Sequence, residues 1–111
     1  ISQTLAQEVS QMEADLCSAF ADPTRILILY TLDENPRNVG ELAEELQVPQ
    51  PTISRHLKVL RDRGLVAGVR QGANIQYQLV DKRLIQALDI LRSLMRDRIA
   101  YRANLIEQVT T

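Results

Sequence analysis

The chain has 111 residues, of which 45% are hydrophobic and 24% are charged, and its formal net charge at pH 7 is −1. This composition supports one domain with a small core, and it contains no apolar run long enough to cross a membrane. A single cysteine excludes an intrachain disulfide framework, so we expect a cytoplasmic protein that forms one domain over 1–111.

Apolar spacing predicts five helices and one β-hairpin, a mainly α fold. The first helix is expected over about 3–20, because apolar residues recur there at steps of four and three. These residues are Leu5, Val9, Met12, Leu16 and Phe20. Asp22 and Pro23 mark the start of the second helix, since Asp caps a helix and Pro at the first helical position loses no needed donor. The run at 24–32 is almost wholly apolar, which predicts a helix buried on most sides.

A helix-turn-helix is predicted over 38–63. Asn38, with Glu41 three residues on, is a capping pattern for a short helix near 39–46. A tight turn separates this helix from a second one near 50–63. Two short helices joined in this way are typical of the motif.

The second helix of the motif has two different faces. Ile53, Leu57 and Leu60 fall at helical spacing and predict a face that enters the core. The other side carries hydrogen-bonding and cationic groups, namely Thr52, Arg55, Lys58 and Arg61. A helix that is apolar behind and carries amide, hydroxyl and guanidinium groups in front suits a DNA major groove.

Positive charge is concentrated where this helix lies. Residues 50–76 contain five cationic side chains and one acidic one, whereas 1–22 contain acidic side chains and no Lys or Arg. Because screening limits how far distant charges are felt, a local basic face binds phosphates even on a protein that is nearly neutral overall.

A two-stranded wing is predicted over 65–80, directly after the helix-turn-helix. Strands are expected at 65–69 and 75–80, with turn residues between them. Ile75, Tyr77 and Leu79 alternate with glutamines, so these three side chains are expected to face inward.

The tip of the wing is the second candidate contact surface. Arg70, Gln71 and Asn74 lie there. Either these side chains reach phosphates or a minor groove, or they belong to a solvated polar loop.

The last helix is expected over 82–107. At 1.5 Å per residue it runs about 39 Å, which outreaches a domain of this size. We therefore expect 1–20 and 82–107 to pair with a second copy in an isologous dimer. The alternative is an intrachain antiparallel pair in a monomer. The predicted dimerisation residues are Leu5, Val9, Met12, Leu16, Leu88, Leu91, Met95 and Ile99.

Several segments, taken in order, resemble the ArsR-type (arsenic-repressor-like) winged-helix transcriptional regulators. The matching segments are ADPTRIL at 21–27, ELA at 41–43, PTISRHLKVL at 51–60, GLV at 64–66, and RQG at 70–72 leading to YQL at 77–79. They fall in the family's order and spacing over about residues 15–80. The resemblance implies a homodimer with a winged helix-turn-helix fold, a palindromic double-stranded DNA operator, and repression that an inducer, an ion or a small molecule, relieves.

The same resemblance assigns the contacts with DNA. Base and phosphate contacts go to Gln50, Thr52, Ser54 and Arg55, with His56 and Lys58 nearby. The hydrogen-bonding chemistry of these side chains agrees with this assignment. Gln can bond adenine, Arg can bond guanine, and small hydroxyls can bond a base edge or a phosphate. His56 either points toward DNA or packs with the neighbouring helix, and Arg61 either contacts a phosphate or is solvated. Arg25 is expected to be structural, tying the second helix to a neighbouring carboxylate.

The sequence departs from the best-known members of that family at their metal sites. Many of those carry Cys-Val-Cys where this chain has Asn38, Val39 and Gly40, and others use His on the last helix, where this chain has none. Zinc, nickel and copper need sulfur or nitrogen donors, so we expect no metal site and no cofactor. Cys17 is interpreted as a small buried hydrophobe; the alternative is a thiol that senses arsenite or an oxidant.

The sequence therefore predicts a sequence-specific DNA-binding repressor that acts as a homodimer. One rival is a winged-helix protein-interaction module that does not bind DNA, since a fold does not by itself determine function. The other is a small enzyme. One His, one Cys, and the lack of a Gly-rich phosphate loop or paired catalytic carboxylates argue against it.

Overall fold

The computed structural model describes residues 1–110, which form five helices and a two-stranded antiparallel sheet. In chain order the elements are α1 (Gln3–Ala19), α2 (Pro23–Glu34), α3 (Val39–Leu46), α4 (Gln50–Asp62), β1 (Val66–Gln71), β2 (Asn74–Leu79) and α5 (Arg83–Thr110). The predicted winged helix-turn-helix fold is thereby confirmed. The chain divides into two compact units, Ile1–Asp81 and a second that begins at Lys82 and contains α5. The predicted assignment of dimerisation to 1–20 and 82–107 stays a prediction.

Side-chain caps set where α2 and α3 begin. Asp22 Oδ1 accepts the Thr24 backbone N–H at 2.8 Å, with Pro23 in the first turn. At α3 the predicted capping box is complete. Asn38 Oδ1 accepts the Glu41 N–H at 2.8 Å, and the Asn38 N–H donates to the Glu41 carboxylate at 3.0 Å. These bonds satisfy N–H groups that the start of a helix leaves without intrahelical partners.

The core of the first unit lies between α2 and the helix-turn-helix. Its largest fully buried side chains are Ile28, Leu29, Leu42, Ile53, Leu57 and Leu60. Burying each such side chain stabilises the fold by about 1.5–3 kcal/mol, so both helices of the motif are held mainly through their apolar faces. Ile28, Leu29 and Leu32 of α2 are buried as expected, whereas Ile26 is half-buried and Leu27 is exposed.

The wing is a tight hairpin whose strands extend closer to the turn than predicted. Gln71 and Asn74 form the last pair, so the turn contains only two residues. Gly72, the first of these, has a φ of 62°, which glycine adopts without a Cβ clash.

One expectation for the wing is wrong. Tyr77 is buried as predicted, but Ile75 is 43% exposed rather than part of the core. Both strands become exposed toward the turn, and Ile75 pairs with Arg70 at this exposed end of the hairpin. A Cβ at Gly68 would lie 2.8 Å from Ile75 Cγ2, so the missing side chain of Gly68 leaves the space that Ile75 occupies.

The second unit is dominated by one long helix. α5 has 28 residues and is about 42 Å long at 1.5 Å per residue. Asp89 and Arg92 form an exposed ion pair on its surface at 3.4 Å. Among the helices of residues 1–110, none combines the length and apolar character needed to span a membrane.

Arg37, between α2 and α3, joins the wing to the helix-turn-helix. The Tyr77 N–H of β2 donates to the Arg37 carbonyl at 2.7 Å, and the Arg37 N–H donates to the Tyr77 carbonyl at 3.1 Å. The Arg37 guanidinium donates to Glu45 of α3 at 3.0 Å and to Glu34 of α2 at 3.2 Å. Hydrogen bonding to Glu45, opposed by burial, raises the pKa of Arg37. The side chain of Arg37, 9% exposed, therefore joins α2 to α3, and its backbone joins the same segment to β2.

We predict that Arg37→Ala lowers the free energy of unfolding by about 1–3 kcal/mol. The variant loses hydrogen bonds to two carboxylates, whose partial exposure limits the penalty. Urea denaturation at neutral pH measures this loss. Arg61→Ala, on the exposed side of α4, is the matched control and should change stability by no more than about 0.5 kcal/mol. Equal losses in both variants would contradict the bridging role of Arg37.

Candidate nucleic-acid interface

α4 has the two faces that its sequence predicts. Ile53, Leu57 and Leu60 are buried. The opposite side is exposed at Gln50, Ser54, Arg55, Lys58 and Arg61, and half-buried at Thr52. The polar and cationic side chains of this helix are therefore available to a ligand without any change in the core.

Arg55 is held along the helix surface before any ligand arrives. Its Nη2 donates to Thr52 Oγ1 at 3.1 Å, one helical turn earlier. A guanidinium has five N–H donors, so this bond orients the side chain while leaving donors for a base edge or a phosphate.

His56 lies on the packing side of α4 and is only 9% exposed. Arg25 Nε of α2 donates to His56 Nδ1 at 3.1 Å, and Asp22 Oδ2 lies 3.8 Å from His56 Nε2. Of the two alternatives for His56, the structure shows packing with a neighbouring helix. Arg25 also donates to the Ser18 carbonyl of α1, so its hydrogen bonds go to an imidazole and a carbonyl rather than to the expected carboxylate.

The charge state of His56 follows from these neighbours. Burial is the main cause that lowers its pKa below the ordinary value, and the cations Arg25 and Arg55 lower it further, while Asp22 acts in the opposite direction. Asp22 is itself held as an anion, because the Thr24 backbone N–H that it accepts lowers its pKa. Burial and the two arginines therefore favour the neutral form of His56.

The wing places its polar tip beside α4. Arg70, Gln71 and Asn74 are all exposed, and Gln71 pairs with Asn74 next to the turn. Asn74 and Gln50 line the same cleft, so the structure brings the start of α4 and the tip of the wing to one surface.

The cleft between the starts of α3 and α4 and the wing has a volume of about 380 Å³. Its walls are Asn38, Val39, Gly40, Gln50, Ala73, Asn74, Ile75 and Tyr77. None of these is charged, so the cleft itself is neutral. Three of its side chains, Asn38, Gln50 and Asn74, are carboxamides. A Cβ at Gly40 would lie 3.6 Å from Gln50 Nε2, an ordinary van der Waals distance, so Gly40 and Gln50 are direct neighbours in this cleft.

Sequence reasoning missed Asn38, Val39 and Gly40 as part of this surface. Asn38 was recognised only as a helix cap, and the spacing of the three residues carries no signal that the wing lies opposite them. Their contribution follows from the approach of the hairpin to α3.

Exposed apolar residues follow both helices that sequence analysis assigns to dimerisation. On α1 and α5 the exposed members of the predicted set are Leu5, Val9, Met12, Leu91, Met95 and Ile99. Leu16 is half-buried. Leu88 is buried within the chain, at 6% exposed, and its assignment to dimerisation stays a prediction.

A second apolar stripe on α5 was missed. It consists of Ile90, Leu94, Tyr101 and Leu105, all exposed, at steps of four, seven and four residues. Its periodicity is present in the sequence, but only the neighbouring stripe, which contains Leu91, Met95 and Ile99, was assigned to dimerisation.

Cys17 is exposed on α1, so its interpretation as a buried hydrophobe is wrong. Within residues 1–110 the structure contains no group of three or more His, Cys, Asp or Glu side chains that could hold a metal ion.

Comparison with known proteins identifies the family. The profile described as "Bacterial regulatory protein, arsR family" matches residues 22–67, from the cap of α2 into β1. An HTH-type transcriptional regulator of Methanocaldococcus jannaschii is 38% identical over 88 residues, which cover 78% of this chain and 99% of that protein. The chain belongs to the arsR family. This arsR-family membership confirms the resemblance seen in the sequence, and the family is one of regulatory proteins, not of enzymes.

Other relatives of this arsR-family chain are named as repressors. The HTH-type transcriptional repressor SmtB of Mycobacterium tuberculosis is 42% identical over 78 residues, which cover 70% of this chain but only 58% of that protein. Two solved structures are similar in fold. NolR from Sinorhizobium fredii is 31% identical with a TM-score of 0.72, covering 85% of this chain and 93% of its own. The transcriptional repressor BigR from Xylella fastidiosa is 29% identical with a TM-score of 0.70, covering 85% and 96%.

Proposed function

We propose that this protein is a cytoplasmic, sequence-specific DNA-binding transcriptional repressor that acts as a homodimer on a palindromic operator. The observation that carries the proposal is the exposed face of α4, where hydroxyl, carboxamide and cationic groups stand beside a wing with a polar tip. Membership of a regulatory family, and relatives named as repressors, support it.

Side-chain chemistry divides the proposed DNA contacts into those that read bases and those that bind the backbone. Gln50, Thr52, Ser54 and Arg55 would choose the sequence, since carboxamides, hydroxyls and guanidinium groups match base edges in the major groove. Lys58, Arg61 and Arg70 would supply affinity through phosphates. Gln71 and Asn74 would contact the backbone or the minor groove beside the wing. His56 is left out of this set because it is buried.

Dimerisation through α1 and α5 would place two recognition helices in successive major grooves about 34 Å apart. The support is the exposed apolar side chains of both helices, which are unusually large and numerous for a surface that stays in water. The acidic side chains of α1 would lie away from DNA in such an arrangement.

Release from DNA would come from an inducer, an ion or a small molecule. Asn38, Val39 and Gly40 offer no thiolate where many family members have metal-binding cysteines. Cys17 is one exposed thiol per chain, which is a weak basis for binding trivalent arsenic. Comparing operator release by arsenite or an oxidant in the wild type and in Cys17→Ser tests that alternative, and equal release would remove it.

Binding-site selection from random duplex DNA tests the function directly. We expect recovery of a palindrome, bound with an affinity that falls steeply as salt rises. Absence of any salt-sensitive binding would instead favour a winged-helix module that contacts another protein.

We predict that two substitutions on α4 separate base reading from phosphate binding. Arg55→Ala should cost about 1–3 kcal/mol of binding free energy and relax base preference, because it removes a bidentate donor. Lys58→Ala should weaken binding to all sequences alike and reduce the salt slope by about one for each protomer. Titrations against the selected duplex and single-base variants measure both effects. Unchanged base preference in Arg55→Ala would contradict the assignment of Arg55.

We predict that Leu91→Glu converts the dimer to a monomer and abolishes tight operator binding. A carboxylate at a buried apolar interface loses hydration without gaining a partner. Sedimentation velocity and operator titration measure the two effects together. Ser93→Glu adds the same charge on the polar side of α5 and should remain dimeric. A Leu91→Glu protein that stays dimeric would rule out this side of α5 as the interface.

A further inference from the structure

Arg25 and His56 connect three helices of the first unit. Arg25, in the first turn of α2, donates through Nη1 to the Ser18 carbonyl of α1 and through Nε to Nδ1 of His56 in the middle of α4. α1 carries apolar residues proposed for dimerisation, and α4 carries the residues proposed to read bases. The Arg25 side chain therefore connects the helix proposed for dimerisation to the helix proposed for base reading.

The hydrogen bond defines the chemical state of the imidazole. Because His56 Nδ1 accepts from Arg25, it carries no proton, and Nε2 carries the hydrogen of the neutral ring. Asp22 Oδ2 lies 3.8 Å from Nε2, beyond hydrogen-bond distance. A proton added at Nδ1 would replace an acceptor by a donor and set an imidazolium against the Arg25 guanidinium.

We propose that the Arg25–His56 hydrogen bond positions α4 for reading DNA, and that protonation of His56 breaks this bond and releases DNA in mildly acidic solution. Both are positioning residues, because they act through the orientation of α4 and not by touching DNA. This inference rests on the proposed DNA-binding function.

Burial is the largest cause that opposes protonation of the ring, and the neighbouring charges act in both directions. Asp22 favours the imidazolium, whereas burial, Arg25 and Arg55 oppose it. From α1, Asp15 pairs with Arg63, two turns further along α4, at 3.5 Å.

The other elements packed on α4 present charges that are engaged or lie at the surface. On α3, Glu41 accepts from the Asn38 N–H and Glu45 accepts from Arg37, while Glu44 is exposed. On β1, Arg70 is exposed near the tip of the wing. The ring therefore takes up a proton only below its ordinary pKa, that is, as pH falls below about 6.5.

The direction of the pH effect distinguishes a positioning residue from a DNA contact. If only the neutral ring holds α4 correctly, apparent affinity falls with the neutral fraction, up to about tenfold per pH unit for each protomer. A histidine that contacted phosphates would do the opposite, because negative charge stabilises the imidazolium and affinity would rise in acid.

The chain is suited to this test because His56 is its only histidine. Histidine titration between about pH 5 and pH 7.5 is therefore assigned to one residue. The probe is the duplex that the wild-type protein selects from a random pool at about pH 8, where His56 is neutral. Circular dichroism and sedimentation at each pH verify that the protein is a folded dimer.

For the wild type we expect affinity to fall as pH drops from about 7.5 to about 5 at constant ionic strength, with a slope of up to about tenfold per pH unit for each protomer. Affinity that stays constant or rises over this range would overturn the inference. Failure to bind any duplex at about pH 8 would overturn the proposed function and this inference with it.

Two variants of His56 form a matched pair. His56→Asn offers a carboxamide oxygen to Arg25 that takes up no proton in this range, so binding should persist at pH 7.5 and lose its dependence on pH. His56→Leu offers no acceptor and should bind weakly at every pH. Arg63→Met, which removes the other cation joining α1 and α4, should keep the wild-type pH profile. A pH profile in His56→Asn equal to that of the wild type would exclude His56 as the titrating group.

Nuclear magnetic resonance of the wild-type protein provides a readout that depends on no variant. The pKa of His56 should be lower in the DNA complex than in the free dimer, because linkage requires the tighter-binding state to hold the proton less tightly. A higher pKa in the complex would overturn the inference even if the variants of His56 failed to fold.

Discussion

The structure depends on which side of α4 is buried. Ile53, Leu57 and Leu60 lie on one face and are enclosed by α2 and α3 in the core. Because an α-helix has 3.6 residues per turn, burying these three side chains sets the rotation of the whole helix and turns Arg55 and Lys58 outward. The surface proposed to read DNA is thus a consequence of apolar packing on the opposite side. The same rotation carries His56 inward, one residue after an exposed arginine.

Two arginines add polar contacts between the elements that surround α4. Arg37 connects the ends of α2 and α3 to β2, and Arg25 connects α1 and α2 to α4. A guanidinium suits both positions, because its several donors reach acceptors on different elements at once. The two sites differ in their response to pH. Arg37 binds carboxylates, whereas Arg25 binds a ring whose ability to accept is lost on protonation.

The sequence predicted the elements and the two faces of α4 well, because caps and apolar periodicity are local signals. It left His56 undecided. That position lies at helical spacing from Ile53 and Leu60, yet its chemistry also suits DNA. The sequence was wrong about Ile75 and Cys17 for one shared reason. Periodicity indicates the direction in which a side chain points, but not whether another part of the molecule covers it.

The sequence by itself therefore determined a winged helix-turn-helix with a polar, cationic recognition helix and apolar outer helices. Only the tertiary structure decided that Arg25 meets His56, 31 positions along the chain. It likewise decided that Arg37 pairs with Tyr77, and that Asn38 shares a cleft with Gln50 and Asn74. Such contacts join residues that no helical or strand period relates. They arise from the path of the whole chain. The proposed effect of His56 protonation on α4 depends on them.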